Sequence, residues 1–160
     1  MKRTLFVLLF VAVLGLPLLA SEGGVGSSRL QLVEATIIDI QKALQTRLIT
    51  TEQLVQMYLH RIAAYDEGAP HLNAYLYLNP NQALAAARQR DTERRHGNIK
   101  SPLFGIPVVL KDNVDTFDMP TTAGSVALTG SIPPDDAFIT RKLRAAGRDH
   151  YWEGNPDGIR

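Results

Sequence analysis

A single lysine, Lys111, directly follows a short apolar run at residues 106–110. The run contains two valines, has Pro107 near its start and is followed by an Asp-Asn pair, which is typical of a buried strand. Lys111 is therefore predicted to lie where such a strand ends. Partial desolvation of an ammonium group at this position lowers its pKa and lets the amine act as a base. A lysine after a strand is more often simply solvated, so this residue alone does not define a site.

Three aspartates, Asp112, Asp115 and Asp118, recur at every third position after the lysine. Such spacing is compatible with a metal site, but the segment lacks the glycine and the closing glutamate of a calcium-binding loop. The alternative is that these side chains bond nearby backbone and shape a turn, as aspartates commonly do. We therefore expect neither a metal nor a cofactor here.

The residues around Lys111 form a long block in which glycines, prolines and the lysine keep fixed offsets. Residues 103–113 read Leu-Phe-Gly-Ile-Pro-Val-Val-Leu-Lys-Asp-Asn, and residues 118–125 read Asp-Met-Pro-Thr-Thr-Ala-Gly-Ser. This block closely resembles the first conserved block of the amidase signature family, and the resemblance extends from about residue 35 to residue 147. Members of that family are amide C–N hydrolases with a Ser–cis-Ser–Lys triad. The resemblance implies that Lys111 is the catalytic base.

The end of the block is small and polar, and from its residue types alone it is a turn. In the family this segment lies near the active site and shapes the loop over which the substrate sits. The candidate substrate-loop residues are Thr121, Thr122, Ala123, Gly124 and Ser125. Ser125 is not expected to be a nucleophile, because the family draws both serines from a later segment.

The two serines of the triad come, in the family, from a segment of the form Gly-Gly-Ser-Ser-Gly-Gly, and these 160 residues contain none. A lysine base without a nucleophile has nothing to activate, so we expect the chain to be inactive alone. The competing hypothesis is a non-catalytic secreted remnant or interaction fragment. A third, membership of a transamidation complex, conflicts with the leader described below.

Composition limits the classes of partner. A net charge of +1 gives no reason to expect nucleic acid, and the arginines of residues 88–95 alternate with acids, which predicts a solvated helix face. The absence of cysteine excludes disulfides, thiolate catalysis and cysteine-ligated metals. The four histidines are scattered and are expected at the surface. The resemblance implies a small-molecule amide as the substrate of a full-length enzyme.

The first 20 residues are typical of a signal peptide. Lys2 and Arg3 precede an apolar run at residues 5–19, and Ala20 offers a small residue for cleavage. The alternative is an uncleaved anchor, which would be the chain's one contact with a membrane. Residues 21–29 are glycine-rich and predict a flexible linker. We expect an exported protein, either periplasmic or secreted.

Residues 30–147 are predicted to form a partial amidase domain. Thr36 and Thr50 are expected to be N-caps of two helices, the second with a capping box that reaches Gln53. A strand at 72–78, a helix at 82–95 and the strand at 106–110 follow. This alternation predicts an α/β fold, and the resemblance implies the N-terminal portion of the amidase-signature fold, a mixed sheet with flanking helices.

The last helix is predicted at residues 137–146. Asp135 or Asp136 is expected to be its N-cap, and Gly147 its C-cap. Its spacing predicts Phe138, Ile139 and Leu143 on the inward face and Arg141, Lys142 and Arg144 on the outward face.

The tail at residues 148–160 is polar and turn-rich, and its pattern predicts no strand. In the family an apolar strand ending in Gly-Lys follows at this point. If the codons are read with a shift of one nucleotide after Gly147, they allow Val-Ile-Ile-Thr-Gly-Lys. The sequence therefore favours a frameshift after Gly147 over a divergent natural tail, and the coding DNA tests this hypothesis.

Overall fold

The computed structural model describes residues 29–147 and 150–154. The predicted signal peptide, and the predicted linker except for Arg29, lie outside these residues. The helices and strands, in chain order, are α1 (Ile37–Gln45), α2 (Thr51–Ile62), a π-helical turn (Ala63–Glu67), β1 (Tyr75–Leu78), α3 (Pro80–Arg95), β2 (Val108–Lys111), a 3₁₀ turn (Val126–Leu128), α4 (Phe138–Ala145) and β3 (His150–Gly154). No helix within the described ranges is long and apolar enough to cross a membrane.

The first two helices begin at their predicted caps. The hydroxyl of Thr36 accepts a hydrogen bond from the backbone N–H of Asp39 at 3.2 Å, and the Asp39 carboxylate accepts the N–H of Thr36 in return. At α2, the Thr50 hydroxyl accepts the N–H of Gln53 at 3.1 Å, which confirms the second capping box. Each such cap contributes about 1 kcal/mol.

The charged half of α3 is only in part the solvated face that its alternating charges predict: Arg88 and Arg95 are exposed, whereas Asp91 and Arg94 are half-buried. Asp91 accepts the first N–H groups of α2, from Thr51 at 2.7 Å and from Glu52 at 3.0 Å. Arg94 donates to the backbone oxygen of Phe104 at 3.0 Å. The reason is packing: α3 lies against the start of α2, where unpaired N–H groups attract a carboxylate.

The core lies between the helices and one face of the sheet. Val55 and Ile62 of α2 pack on Ala83 and Ala87 of α3, and the small alanines allow the two helices to approach closely. Tyr75 and Leu78 of β1 pack against this cluster. A second cluster links α1 and α2 to the segment before β2 and comprises Ile40, Leu44, Leu54 and Ile106.

The sheet has the strand order β1-β3-β2, with β3 antiparallel to β1 and parallel to β2. The prediction of no strand after Gly147 is therefore wrong, since β3 is the central strand. Pairing of β3 uses backbone groups, which every non-proline residue carries, so a strand formed here without an apolar side-chain pattern. The other strands are shorter than predicted, but the mixed helix-and-strand fold is confirmed.

The last helix departs from its prediction in its cap and in its inward face. Its N-cap is Ala137, which makes no side-chain cap bond. Phe138 is 67% exposed and Ile139 50% exposed, whereas Thr140 is fully buried. Gly147 follows the helix with a φ of 74° and confirms the predicted C-terminal glycine. Apolar spacing failed here because a polar network, described below, lies on the inward face.

Candidate active site

Lys111 is the last residue of β2, as the sequence predicts to within one residue. Side chains alternate along the strand: Leu110 is buried, whereas Val109 and Lys111 are exposed. The face of β2 that carries the lysine is therefore open in the described part of the chain. The predicted desolvation of Lys111 is not met there, because the described elements pack against the opposite face of the sheet.

The next residue, Asp112, points to the buried side. It is only 3% exposed, and its carboxylate accepts backbone N–H groups from Thr122 at 2.7 Å and from Gly124 at 3.0 Å. The hydroxyl of Thr122 donates to the same carboxylate, and the backbone oxygen of Asp112 accepts the N–H of Ala123 at 2.8 Å. The prediction that an aspartate here bonds nearby backbone is met only in part at Asp112, because its carboxylate bonds backbone N–H groups that lie ten to twelve positions further on.

These bonds hold the candidate substrate loop, residues 121–125, in a backbone conformation that is unfavourable by itself. Ala123 has a φ of 49°, in the left-handed region, which costs a non-glycine residue about 1–2 kcal/mol. Hydrogen bonds to a charged acceptor contribute roughly 1.5–3 kcal/mol each. The bonds to Asp112 therefore outweigh the backbone strain. The loop is fixed beside the end of β2.

After the loop, the chain passes through the 3₁₀ turn and comes back to the start of the loop at residue 131. The backbone N–H of Thr121 donates to the backbone oxygen of Ser131 at 2.9 Å, which joins the two ends of residues 121–131. Thr121 and Thr122 are half-buried, whereas Ala123, Gly124 and Ser125 are exposed. The structure thus places all five predicted loop residues together, next to the strand that ends in Lys111.

A second polar network holds the segment between β2 and the loop. The guanidinium of Arg144 donates to Asp118 at 2.6 Å and to Asp136 at 2.8 Å, and lies 4.6 Å from the ring centre of Phe117. Asp118 also accepts a hydrogen bond from Gln82 of α3 at 3.0 Å. The sequence predicts Arg144 on the outward face of α4 and offers Asp136 as a cap, and both predictions are wrong.

The inward face of α4 carries a signal that apolar spacing does not use. Arg144 and buried Thr140 stand four residues apart, a spacing that places both side chains on one face of a helix. The pair could have indicated a polar inward face.

Other candidate groups lie elsewhere. His60, His71 and His96 are exposed, as predicted, while the side chain of His150 lies outside the described residues. In the ranges that the structure covers, no group of three or more His, Cys, Asp or Glu could hold a metal ion. A cavity of about 320 Å³ is lined by residues of α1, of the connection between α1 and α2, and of α3, including Asp91, and none of the predicted site residues lines it.

A family model described as Amidase matches residues 53–151 of this chain. The chain therefore belongs to the amidase family, and the resemblance seen around Lys111 is confirmed. It is 44% identical over 117 residues to a putative amidase from Schizosaccharomyces pombe, covering 72% of this chain and 19% of that protein. It is 40% identical over 116 residues to one subunit of the glutamyl-tRNA(Gln) amidotransferase from Acidothermus cellulolyticus, covering 72% of this chain and 22% of the relative.

Solved structures agree with these sequence matches. The native peptide amidase from Stenotrophomonas maltophilia is 43% identical, with a TM-score of 0.72 over 76% of this chain and 25% of that one. An amidase family protein from Bacillus anthracis is 40% identical, with a TM-score of 0.73 over 78% of this chain and 24% of that one. The chain thus spans about a fifth to a quarter of the length of the relatives and structures that it matches.

Proposed function

We propose that this chain supplies the lysine-bearing part of an enzyme that hydrolyses carboxylic amide C–N bonds, with Lys111 as the base of a Ser–cis-Ser–Lys triad. The observation that carries the proposal is the position of Lys111 at the end of β2, next to a loop that Asp112 holds in place. Membership of the amidase family supports the reaction class.

In the proposed mechanism, the nucleophilic serine attacks the amide carbonyl carbon while its proton passes to the cis serine. The cis serine passes its own proton to the neutral amine of Lys111. Collapse of the tetrahedral intermediate breaks the C–N bond, and the protonated lysine returns a proton to the leaving nitrogen through the same route. Water then hydrolyses the acyl-serine ester. Backbone N–H groups near the serines stabilise the oxyanion in both steps.

Both serines, and the donors to the oxyanion, belong to the Gly-Gly-Ser-Ser-Gly-Gly segment that these 160 residues lack. On this proposal the chain alone does not hydrolyse amides. Lys111 is exposed in the described part of the chain. Elements that cover the open face of β2 are needed to desolvate the amine.

We propose small carboxylic amides as the substrate class, since one similar structure is a peptide amidase. The similarity to a subunit of glutamyl-tRNA(Gln) amidotransferases offers a second candidate, a part in a transamidation complex. The proposed signal peptide at residues 1–20 favours an exported hydrolase over that role. A non-catalytic remnant is the alternative for this chain by itself.

The test is a chimera in which residues 30–147 replace the aligned quarter of the Stenotrophomonas maltophilia peptide amidase. Release of ammonia from a peptide amide is measured for the chimera, its Lys111→Met variant and a matched control, Lys142→Met, which changes an exposed lysine of α4. We expect an active chimera, a loss of at least about 10³-fold for Lys111→Met, and no effect of the control. If the Lys111→Met chimera folds and releases ammonia at a rate within about tenfold of its parent, the catalytic role of Lys111 is overturned. A folded but inactive parent chimera would favour the remnant.

A further inference from the structure

We propose that Asp112 is a positioning residue of this site, which holds the substrate loop and thereby fixes where Lys111 points. The inference rests on the proposed function for its catalytic meaning, but its structural content stands on the contacts of the chain itself. Asp112 does not touch the reacting atoms in this scheme. It acts through Lys111, its neighbour, and through residues 121–125.

The geometry of Asp112 singles it out among the acidic residues of this segment. One carboxylate oxygen takes the N–H of Thr122 and the other takes the N–H of Gly124, so the two oxygens bracket Ala123. The N–H of Ala123 itself binds the backbone oxygen of Asp112 at 2.8 Å. Three successive residues of the loop are thus bound by one residue. The carboxylate of Asp118 instead binds α3 and α4, and Asp115 is exposed.

These contacts reach the lysine through the backbone. Lys111 and Asp112 share a peptide unit, and the side chain of one is exposed while that of the other is buried. The carbonyl oxygen of that shared unit, on Lys111, accepts the N–H of Val114 at 2.9 Å, while the side chain and carbonyl oxygen of Asp112 are held by the loop. Both sets of bonds hold the backbone at the end of β2, and the bonds to the loop thereby restrict the directions in which the Lys111 side chain leaves the strand. When those bonds are lost, the end of the strand frays and the ammonium samples more positions.

The experiment uses the full 160-residue chain and two readouts. Amide hydrogen exchange reports the loop at Thr122 and Gly124. The rate of acetylation by acetic anhydride, resolved by mass spectrometry, reports Lys111, with exposed Lys42 and Lys100 as internal references. Asp112→Asn keeps the side-chain shape but replaces one acceptor oxygen with a donor NH₂. Asp115→Asn makes the same chemical change three residues further on and is the matched control.

We expect Asp112→Asn to accelerate exchange at Gly124 by about tenfold or more and to raise the acetylation rate of Lys111 about threefold relative to the two references. Asp115→Asn is expected to change neither. Faster hydrogen exchange in the loop with an unchanged acetylation rate of Lys111 would mean that Asp112 only supports the loop, and would overturn the proposal. Unchanged hydrogen exchange in the loop would overturn it as well. If Asp112→Asn fails to fold, Thr122→Val decides by the same two readouts, since it removes a single hydroxyl donor.

The outcome is separable from that of the proposed function. Loss of activity in the Lys111→Met chimera together with an unresponsive Lys111 in the acetylation experiment would leave the amidase role intact and reject the role of Asp112. If Asp112→Asn changes the acetylation rate of Lys111 but the Lys111→Met chimera stays active, the role of Asp112 stands and the catalytic role of Lys111 is rejected.

Discussion

The ring of Phe104 lies directly against Gly147, where a Cβ atom would come within 2.3 Å of the ring carbon Cδ2. The backbone oxygen of Gly147 also accepts the N–H of Gly105 at 3.1 Å. Phe104 is fully buried, and the guanidinium groups of Arg90 and Arg94 each lie 5.6 Å from its ring centre. The end of α4 is therefore joined to the segment that leads into β2 and Lys111.

Gly147→Ala is expected to destabilise the chain by about 3 kcal/mol, because it combines a left-handed backbone with overpacking against a buried ring. Gly97→Ala is the matched control: Gly97 has a similar φ of 77°, but nothing lies within 4 Å of its missing Cβ. Backbone strain alone should cost the control about 1 kcal/mol. Urea denaturation of both variants measures the difference, and equal losses would contradict the contact with Phe104.

The capping box of α1 gives a pH-dependent prediction. The hydroxyl of Thr36, and then its backbone N–H, donate to Asp39 and hold the pKa of that carboxyl below its ordinary value. Because the pKa is lower in the folded state, the stabilisation is complete above the unfolded value of about 3.9 and is lost as the pH falls through the folded value. Carbon-13 NMR titration of the carboxyl measures this pKa. Thr36→Val should raise it toward the ordinary value, while Thr36→Ser, which keeps the hydroxyl, should not.

Local hydrogen bonds explain which parts of this fold the sequence could predict. Thr36 and Thr50 bond residues only three positions away, so their residue types and spacing carry the whole signal. The position of Lys111 at the end of a strand is predicted correctly because the strand is readable from adjacent residues. The Asp112 carboxylate is predicted only to shape a turn, since its partners stand ten and twelve positions further along the chain.

The wrong predictions concern features that depend on contacts between residues far apart in the sequence. Strand β3 lies between β1 and β2 and pairs with both. Its own residues do not reveal this pairing with strands that lie far away in the sequence. Asp91 is misassigned to a solvated face because its target, the start of α2, lies forty positions away. Lys111 is exposed because the elements that the structure describes pack against the other face of its strand.

The network of Arg144 is a test of how the segment after β2 is held. Arg144→Met keeps much of the side-chain volume but removes the charged donors to Asp118 and Asp136. Those two carboxylates are largely shielded from water, so their loss of partners should cost about 2–3 kcal/mol. Arg141→Met is the control on the same helix: its side chain is exposed and donates to the backbone oxygen of Asp136, not to its carboxylate.

Thermal denaturation gives the stability of both variants, and hydrogen exchange locates the change. We expect Arg144→Met to accelerate exchange at the N–H of Phe117, which donates to Asp136 at 3.0 Å, while the N–H of Gly124, held by Asp112, stays protected. This split would mean that the two polar networks hold the segment independently, one at the lysine and one at α4. Loss of protection at both amides would instead mean that they act as one cooperative unit, in which case Arg144 also supports the position of Lys111.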